Sequence, residues 1–188
     1  MPKDNIQRAI DRGTGAGADA AAIERVVFEG YGPGGAAILV EALTDNRNRT
    51  SAEVRHSFTK HGGSLGEPGS VAWIFEKRGV VVVDAERYGE DDLIAAIDAG
   101  AEDVQRDGDL LKVITDPANL AAVRAAIEEA GVEVQSSDLA MEPSSVVEID
   151  ESSARPLLRL LDDLEDQDDV NDVHANFDIP EEILETVA

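Results

Sequence analysis

The apolar positions in the first third of the chain follow a period of two, then a period of 3.6, then a period of two again. Residues 23–31 and 36–44 are short apolar runs and predict two strands. The glycine-rich residues 32–35 between them predict a hairpin loop. Residues 71–76 alternate again and predict a third strand, in which Trp73 shares a buried face with its apolar neighbours.

The stretch between the second and third strands has the spacing of an amphipathic helix. Asp45 or Asn46 is placed to cap its N-terminus, and Gly62 follows the last residue, at about Lys60. At about 100° per residue, one side of this helix carries the residues that are expected to seat it on the sheet. They are Thr50, Val54, Phe58 and His61.

From residue 79 onward, a pattern of strand, helix, glycine and strand repeats. Residues 79–142 contain two copies, and a looser third copy covers residues 146–177, with strands predicted at residues 146–150 and 170–177 and a helix at residues 152–165. Two consecutive β-α-β units give four strands and two helices, which is the ferredoxin-like arrangement. The third copy is too small to fold alone, so its exposed sheet edge is predicted to pair with the sheet of residues 20–78.

The predicted fold class is therefore α+β, with two ferredoxin-like α/β domains, the second inserted in the first, and a remnant N-terminal helix. The first domain comprises residues 20–78 plus 143–188, and the inserted domain comprises residues 79–142. Residues 1–19 are predicted to be a remnant helix, the last helix of something larger, and a Gly-rich linker, because this amphipathic helix has no local packing partner.

Composition narrows the class of protein. The net charge is −24, yet residues 1–60 hold eight Lys and Arg against eight Asp and Glu, so the whole acidic excess lies in residues 61–188. A polyanion partner is thus disfavoured everywhere except near the N-terminal third. There are no cysteines, no apolar run near the roughly 20 residues of a membrane span, and no signal-peptide pattern, so we expect a cytoplasmic location and no membrane partner.

The most informative chemistry lies on the helix that begins after Asn46. Arg49, His56 and Lys60 align on the side opposite the apolar one, and Arg47 and Arg55 are expected nearer the core flank or at the helix entry. Together with Asn46, these groups are suited to grip phosphates through side chains and free backbone N–H groups. The alternative is a solvated helix whose arginines pair with Glu53 and with acidic residues elsewhere.

Other motifs favour structural roles. The glycine-rich loop is followed by a strand and lacks the Lys-Ser/Thr of a phosphate-binding loop. The three histidines, at positions 56, 61 and 174, have no metal-ligand spacing, and no positioned nucleophile is evident. The acidic C-terminal helix lacks the ligand spacing of a calcium loop. Trp73 could serve as a base-stacking platform, but core burial is the commoner fate. We therefore predict a protein that is not an enzyme and has no metal, no cofactor and no obligate small molecule.

Several of these segments together resemble the YebC/PmpR family, which includes the mitochondrial translational activator of cytochrome oxidase. The resemblance is most specific over residues 1–78 and continues more weakly to the Ile179-Pro180-Glu181-Glu182 tail. The segments that carry it are Gly30-Tyr31-Gly32-Pro33-Gly34-Gly35, Ala42 to Thr50, Glu53-Val54-Arg55, Phe58 to Gly63, and Gly69 to Trp73.

This resemblance implies three domains, namely a basic N-terminal helical bundle and two α/β domains, with the third domain inserted in the second. It also implies a role in gene expression, because family members are described as probable DNA-binding transcriptional regulators and as ribosome-associated translation factors that relieve stalling at proline-rich stretches. The start Met1 to Ile6 resembles an internal point of the family pattern, so most of the basic bundle is expected to be absent.

Taken together, the sequence favours a non-enzymatic regulator of gene expression that binds nucleic acid, either DNA or ribosomal RNA. The ribosome is a candidate partner, because an acidic body fits a contact with RNA at one edge better than a contact along a duplex. The predicted nucleic-acid-binding residues are Asn46, Arg47, Arg49, Arg55, His56 and Lys60. The alternative is a protein-binding or small-ligand-sensing module without direct nucleic-acid contact.

Overall fold

The computed structural model describes residues 22–187, so the predicted N-terminal helix lies outside the described residues. The described chain forms two compact units. One, here called the split unit, combines residues 22–74 with 145–187, and the other, the continuous unit, comprises residues 75–144. In chain order the strands and helices are β1 Glu24–Tyr31, β2 Ala37–Thr44, α1 Arg47–Lys60, β3 Ser64–Leu65, β4 Phe75–Asp84, α2 Ile94–Asp98, β5 Ala101–Asp107, β6 Leu110–Thr115, α3 Leu120–Glu129, β7 Val134–Pro143, β8 Val147–Glu148, α4 Glu151–Glu165, β9 Val170–Ala175, β10 Phe177–Asp178 and α5 Glu181–Val187.

The split unit is built on an antiparallel sheet with the order β3-β1-β2-β9. Strands β1 and β2 form the predicted hairpin, paired from Glu24 with Thr44 to Tyr31 with Ala37. The loop between them is a short 3-10 turn in which Gly34 and Gly35 have φ angles of 74° and 81°. Only glycine adopts this left-handed conformation readily, which explains the glycine pair. The predicted strands and hairpin are confirmed.

Helices α1 and α4 cover one face of this sheet. Alternate β1 residues such as Val26 and Phe28 point into a core that also contains Val54 and Phe58 of α1. The buried side of α4 completes this core with a row of leucines at helical spacing. Helix α1 packs on β1 and β3, and α4 packs on β9. The predicted apolar side of α1 is confirmed for Thr50, Val54 and Phe58, which are fully buried.

Strand β1 has no room for a side chain at Gly30, beneath α1. A Cβ atom at this position would lie 2.6 Å from Cε1 of Phe58 and 2.7 Å from the carbonyl oxygen of Ser64. Gly63 faces the same crowding, because its Cβ would lie 2.6 Å from the carbonyl oxygen of Tyr31. Gly30 and Gly63, which lie before and after α1 in the chain, therefore let the helix and the short strand β3 approach β1 closely.

The predicted strand at residues 71–76 is wrong in its first half. Residues 72–74 form a 3-10 turn, β4 begins only at Phe75, and Trp73 is 72% exposed rather than buried. The cause is a long-range contact that the alternating pattern does not contain. The buried carboxylate of Glu29 accepts hydrogen bonds from the backbone N–H groups of Gly69, Val71 and Ala72, at 2.6, 2.8 and 2.7 Å. These three bonds bend the chain into a turn and leave Trp73 outside.

The continuous unit is a second antiparallel sheet, with the order β5-β6-β4-β7. Helices α2 and α3 bury Ala96, Val123 and Ile127 against it. Strands β4 and β7 pair from Phe75 with Pro143 onward. The bonds between residues 78 and 79 and between residues 142 and 143, predicted as domain junctions, therefore lie within paired strands.

The third predicted repeat is shorter and more broken than expected. The strand predicted at residues 146–150 is reduced to β8, which pairs in parallel with β10. The strand predicted at residues 170–177 is split by Asn176, whose side chain accepts from the N–H of Ala37 and donates to the carbonyl oxygen of Ser145. The predicted pairing of this segment with the first sheet is confirmed, because β9 pairs with β2. The result, over the described residues, is a mixed α+β fold with two four-stranded antiparallel sheets and one short parallel pair.

Candidate nucleic-acid interface

The N-terminus of α1 is organised by Asn46. Its side-chain oxygen accepts a hydrogen bond of 3.2 Å from the N–H of Arg49, as a helix cap does. The N–H of Asn46 in turn donates to the hydroxyl of Thr44, at 2.8 Å. The predicted cap is confirmed, and Asn46, one of the predicted binding residues, uses its side-chain oxygen to begin the helix.

Arg49 is held by acidic residues on one flank of α1. Its Nη2 atom donates to both carboxylate oxygens of Asp169, at 3.0 and 2.7 Å, and to Asp45 at 3.1 Å. Asp169 also accepts from the hydroxyl groups of Thr50, at 2.6 Å, and Thr44, at 3.2 Å. This cluster fastens the start of α1 to the connection between α4 and β9. The charge of Arg49 is therefore already balanced within the chain.

Replacing Asp169 by asparagine is expected to destabilise the protein at neutral pH and much less in acid. The hydrogen bond from Arg49, and then that from Thr50, hold the pKa of Asp169 below its usual range although burial acts in the opposite direction. The unfolded chain therefore binds more protons than the native state in acid. This stabilisation is present above the ordinary aspartate pKa of about 3.9 and is lost as the pH falls through the lower native pKa. Urea unfolding of both proteins between about pH 7 and pH 2.5 measures it.

The matched control for this substitution is Asp168→Asn. Asp168 is exposed and has no hydrogen-bond or ion-pair partner among residues 22–187. A loss of stability in D168N equal to that in D169N, or a difference between D169N and wild type that does not shrink in acid, would contradict the assignment.

The C-terminal end of α1 is fastened in the same way. Lys60 Nζ donates to Asp163 Oδ2 at 2.7 Å, and His61 Nε2 lies 2.7 Å from the same oxygen. Lys60 first, and His61 second, lower the pKa of Asp163. The side chain of Gln167 also donates to Ser57 at 3.0 Å. For Arg49 and Lys60 the alternative interpretation, pairing with acidic residues elsewhere in the chain, thus describes the contacts that form.

The other three predicted binding residues have free side chains. The side chains of Arg47, Arg55 and His56 are exposed and have no hydrogen-bond or ion-pair partner within the part of the chain that the structure describes. We call these three residues the basic face of α1. Beside Arg55 and His56 lies a shallow concavity of about 450 Å³. Its lining is Asn48, Ser51, Ala52, Arg55, His56 and Thr59.

The opposite flank of α1 is acidic. A concavity of about 520 Å³ on that flank is bordered by Glu53, Asp166 and Asp168 together with the Arg49 and Asp169 pair. The side chains of Glu53, Asp166 and Asp168 have no ion-pair partner among the described residues. One helix therefore presents positive charge on one flank and negative charge on the other.

Sequence reasoning missed Asp163 and Asp169. The acidic run at residues 162–172 was visible, but nothing local indicates which of its carboxylates meet α1, because the contacts span 103 and 120 residues. The remaining histidines are accounted for by neighbours: His61 meets Asp163, and His174 lies 3.6 Å from Glu41. In residues 22–187, no set of three or more His, Cys, Asp or Glu side chains is arranged to hold a metal ion. None of the described helices is long and apolar enough to cross a membrane.

Comparison with known proteins places the chain in a family. Residues 23–177 match the family model described as the TACO1/YebC second and third domain. The chain is 56% identical over 189 residues to a "Probable transcriptional regulatory protein" of Rubrobacter xylanophilus and 50% identical over 189 residues to one of Thermobifida fusca. Each match covers 100% of this chain and 76% of the relative. A crystal structure of a conserved hypothetical protein, Aq1575, from Aquifex aeolicus matches with a TM-score of 0.78 and 47% identity, covering 98% of this chain and 76% of that one.

Proposed function

Because the chain belongs to the TACO1/YebC family, we propose that it is a regulator of gene expression that acts by binding nucleic acid and not by catalysis. Relatives that match the whole chain are named probable transcriptional regulatory proteins. The observation that carries the proposal is the basic face of α1. Arg47, Arg55 and His56 keep exposed groups free of acidic partners in the described residues of a protein whose net charge is −24.

The chemistry of this face suits phosphate groups. Arginine presents planar donors that match phosphate oxygens, and a protonated histidine adds a further charge. Ser51 and Ala52 are small, so a backbone can approach the helix between the longer side chains. Contacts of this kind position a nucleic acid without reading its sequence and weaken as salt rises.

The charge distribution favours RNA in a folded assembly over a long duplex. A duplex that continued past α1 toward its acidic flank would meet Glu53, Asp166 and Asp168. An RNA that reaches the protein at one edge meets only the basic face. We therefore propose a ribosome-associated role in the cytoplasm rather than binding along promoter DNA.

Two finer points of architecture belong to the same proposal. The order β5-β6-β4-β7, with two crossing helices, supports describing the continuous unit as ferredoxin-like. The split unit, whose two segments flank it in sequence, supports describing the continuous unit as an inserted domain.

Reversing one charge on the basic face tests the proposal. Arg55→Glu is expected to weaken binding of a fluorescein-labelled single-stranded RNA about 10-fold at low salt and to reduce the slope of log K against log salt by about 1. Fluorescence anisotropy at several salt concentrations, with RNA and with duplex DNA, measures both quantities. RNA is expected to bind more tightly than the duplex.

The control is Arg159→Glu. Arg159 is an exposed arginine of α4 without an ion pair in the described chain, so its reversal changes the net charge equally at a different place. R159E is expected to bind RNA as the wild type does. Absence of salt-sensitive binding by the wild type, or equal weakening in R55E and R159E, would overturn the proposed surface.

A further inference from the structure

Tyr31 and Trp73 form a pair of exposed aromatic side chains whose polar ends share one partner. The phenol of Tyr31 donates to the carbonyl oxygen of Ser70 at 3.3 Å, and the indole Nε1–H of Trp73 donates to the same oxygen at 3.0 Å. Trp73 is 72% exposed and Tyr31 is 39% exposed. The two rings are thus brought together, with their hydrogen-bonding groups satisfied and with much of their surface in solvent. We call this pair the aromatic platform.

The platform is held by a buried charge. Glu29 lies two residues before Tyr31 on the same face of β1, and its carboxylate accepts three backbone N–H groups from residues 69–72. These bonds keep the pKa of Glu29 low despite the opposing effect of burial. A charged group bonded in this way fixes the residues that precede Trp73. An exposed tryptophan on a fastened turn is a preorganised contact surface rather than a loose side chain.

The chemistry of the platform fits a planar, stacking ligand. At protein interfaces, tryptophan and tyrosine commonly contribute a polar end as well as a ring, and here both polar ends are already used inside the chain. The part of Tyr31 and Trp73 that remains available to a ligand is the surface of the rings. Stacking of unpaired nucleobases on aromatic rings uses only that surface and is tolerant of sequence.

The platform and Arg55 of the basic face lie toward one edge of the split unit. Lys60 and Ser57 of α1 point toward α4 and the residues that follow it, so Arg55, on the opposite side of α1, is turned toward the β3 edge of the sheet. Residues 66–72 leave β3 at this same edge and reach Glu29 on the face of the sheet away from α1. A single-stranded nucleic acid that crosses this edge could therefore contact Arg55 on the α1 side and the rings of Tyr31 and Trp73 on the other side.

We propose that Tyr31 and Trp73 stack unpaired bases of a single-stranded nucleic acid whose phosphates contact the basic face of α1. This inference rests on the proposed function and adds a second contact of a different chemical kind. It also assigns Glu29 a positioning role, because Glu29 holds the turn that presents Trp73.

The sole tryptophan of the chain is itself the reporter. Intrinsic fluorescence is recorded while the protein is titrated with an oligoadenylate of about 12 nucleotides. A parallel titration uses inorganic polyphosphate of matched length, which has charge and no bases. The oligoadenylate is expected to quench Trp73, and polyphosphate is expected to bind without quenching. Anisotropy of labelled oligoadenylate, and competition by polyphosphate, measure binding independently.

Variants separate the two contacts. Trp73→Ala is expected to lower oligoadenylate affinity about 10-fold while leaving polyphosphate affinity unchanged. Arg55→Glu is expected to lower both affinities. Val146→Ala, which truncates another exposed apolar side chain of the split unit, is expected to change neither. Because Trp73 packs little, W73A is expected to fold, and circular dichroism of each variant checks this.

Two results would overturn the inference, and they differ. If oligoadenylate binds but Trp73 is not quenched and W73A binds equally well, the platform does not touch bases, while the proposed function stands. If neither oligoadenylate nor polyphosphate binds the wild type, the proposed function and this inference fail together.

Discussion

Replacing Glu29 by glutamine is expected to lower the thermal unfolding midpoint of the split unit by about 15 °C, the equivalent of about 3 kcal/mol. One carboxylate oxygen of Glu29 serves Gly69, and the other serves both Val71 and Ala72. Glutamine has only one acceptor oxygen, so its amide N–H₂ group would face at least one N–H donor. A buried donor without an acceptor, together with loss of the charge that strengthened all three bonds, produces this cost. Differential scanning calorimetry measures the shift.

The same contact predicts a pH dependence. The pKa of Glu29 is raised by burial but lowered more by its three backbone hydrogen bonds, so the native value lies below the unfolded one. Its stabilisation is therefore complete above the ordinary glutamate pKa of about 4.3 and disappears as the pH falls through the native pKa. The difference between wild type and E29Q should shrink accordingly in acid. Glu67→Gln, at an exposed position in the same loop, is the control. An unchanged midpoint in E29Q would show that the turn is held by other contacts.

Replacing Gly30 by alanine is the second large effect, with an expected loss of about 3 kcal/mol in the free energy of unfolding. The added Cβ would lie 2.6 Å from the Phe58 ring and 2.7 Å from the Ser64 carbonyl oxygen. Both neighbours resist movement, because Phe58 is fully buried and Ser64 is paired with Tyr31 in the sheet. Either the ring leaves its position or β3 separates from β1. Chemical denaturation of purified G30A protein provides the measurement.

A double-mutant cycle identifies the cause. Phe58→Leu shortens the side chain that the new Cβ meets, so G30A/F58L should be less destabilised than the sum of the single variants. Gly89→Ala is the matched control, because its Cβ would meet nothing closer than Asp92 at 4.0 Å and its φ of −110° suits alanine. Strict additivity in the cycle would mean that crowding against Phe58 is not the reason for the glycine.

Most of the parts of the fold that were predicted correctly from the sequence have local causes. Strands β1 and β2 and helix α1 follow from apolar periodicity, and Asn46 and Gly62 mark the helix ends through capping chemistry. Trp73 shows the limit of this reasoning. Its neighbours alternate as a strand would, but Glu29, about forty residues earlier, captures three N–H groups and turns the chain. The alternation of apolar residues around Trp73 gives no sign of these hydrogen bonds to Glu29.

The candidate site also has features that local sequence predicts and features that depend on distant contacts. Helical spacing placed His56 on the exposed side of α1, where the structure has it, but it placed Arg55 nearer the core flank, whereas the structure exposes this side chain. Which cations stay free depends on where residues 162–172 pass, and that path is set by tertiary packing. Arg49 and Lys60 share the outward side of the helix with His56 in the sequence, yet each contacts an aspartate from a distant segment. The role of all six predicted residues in nucleic-acid binding stays a prediction.

The split of one unit around the other also imposes an order on synthesis. Strand β9, which pairs with β2, and the leucines of α4, which complete the core around Phe58, follow the whole of residues 75–144 in the chain. A growing polypeptide therefore contains every strand of the continuous unit before it contains β9, the last strand of the four-stranded sheet of the split unit. Until then, β2 has an open edge, α1 lacks its neighbour, and Arg49 and Lys60 have not met Asp169 and Asp163. The β1–α1 part of the split unit is translated before the continuous unit, yet it is thus among the last to acquire its full set of native contacts.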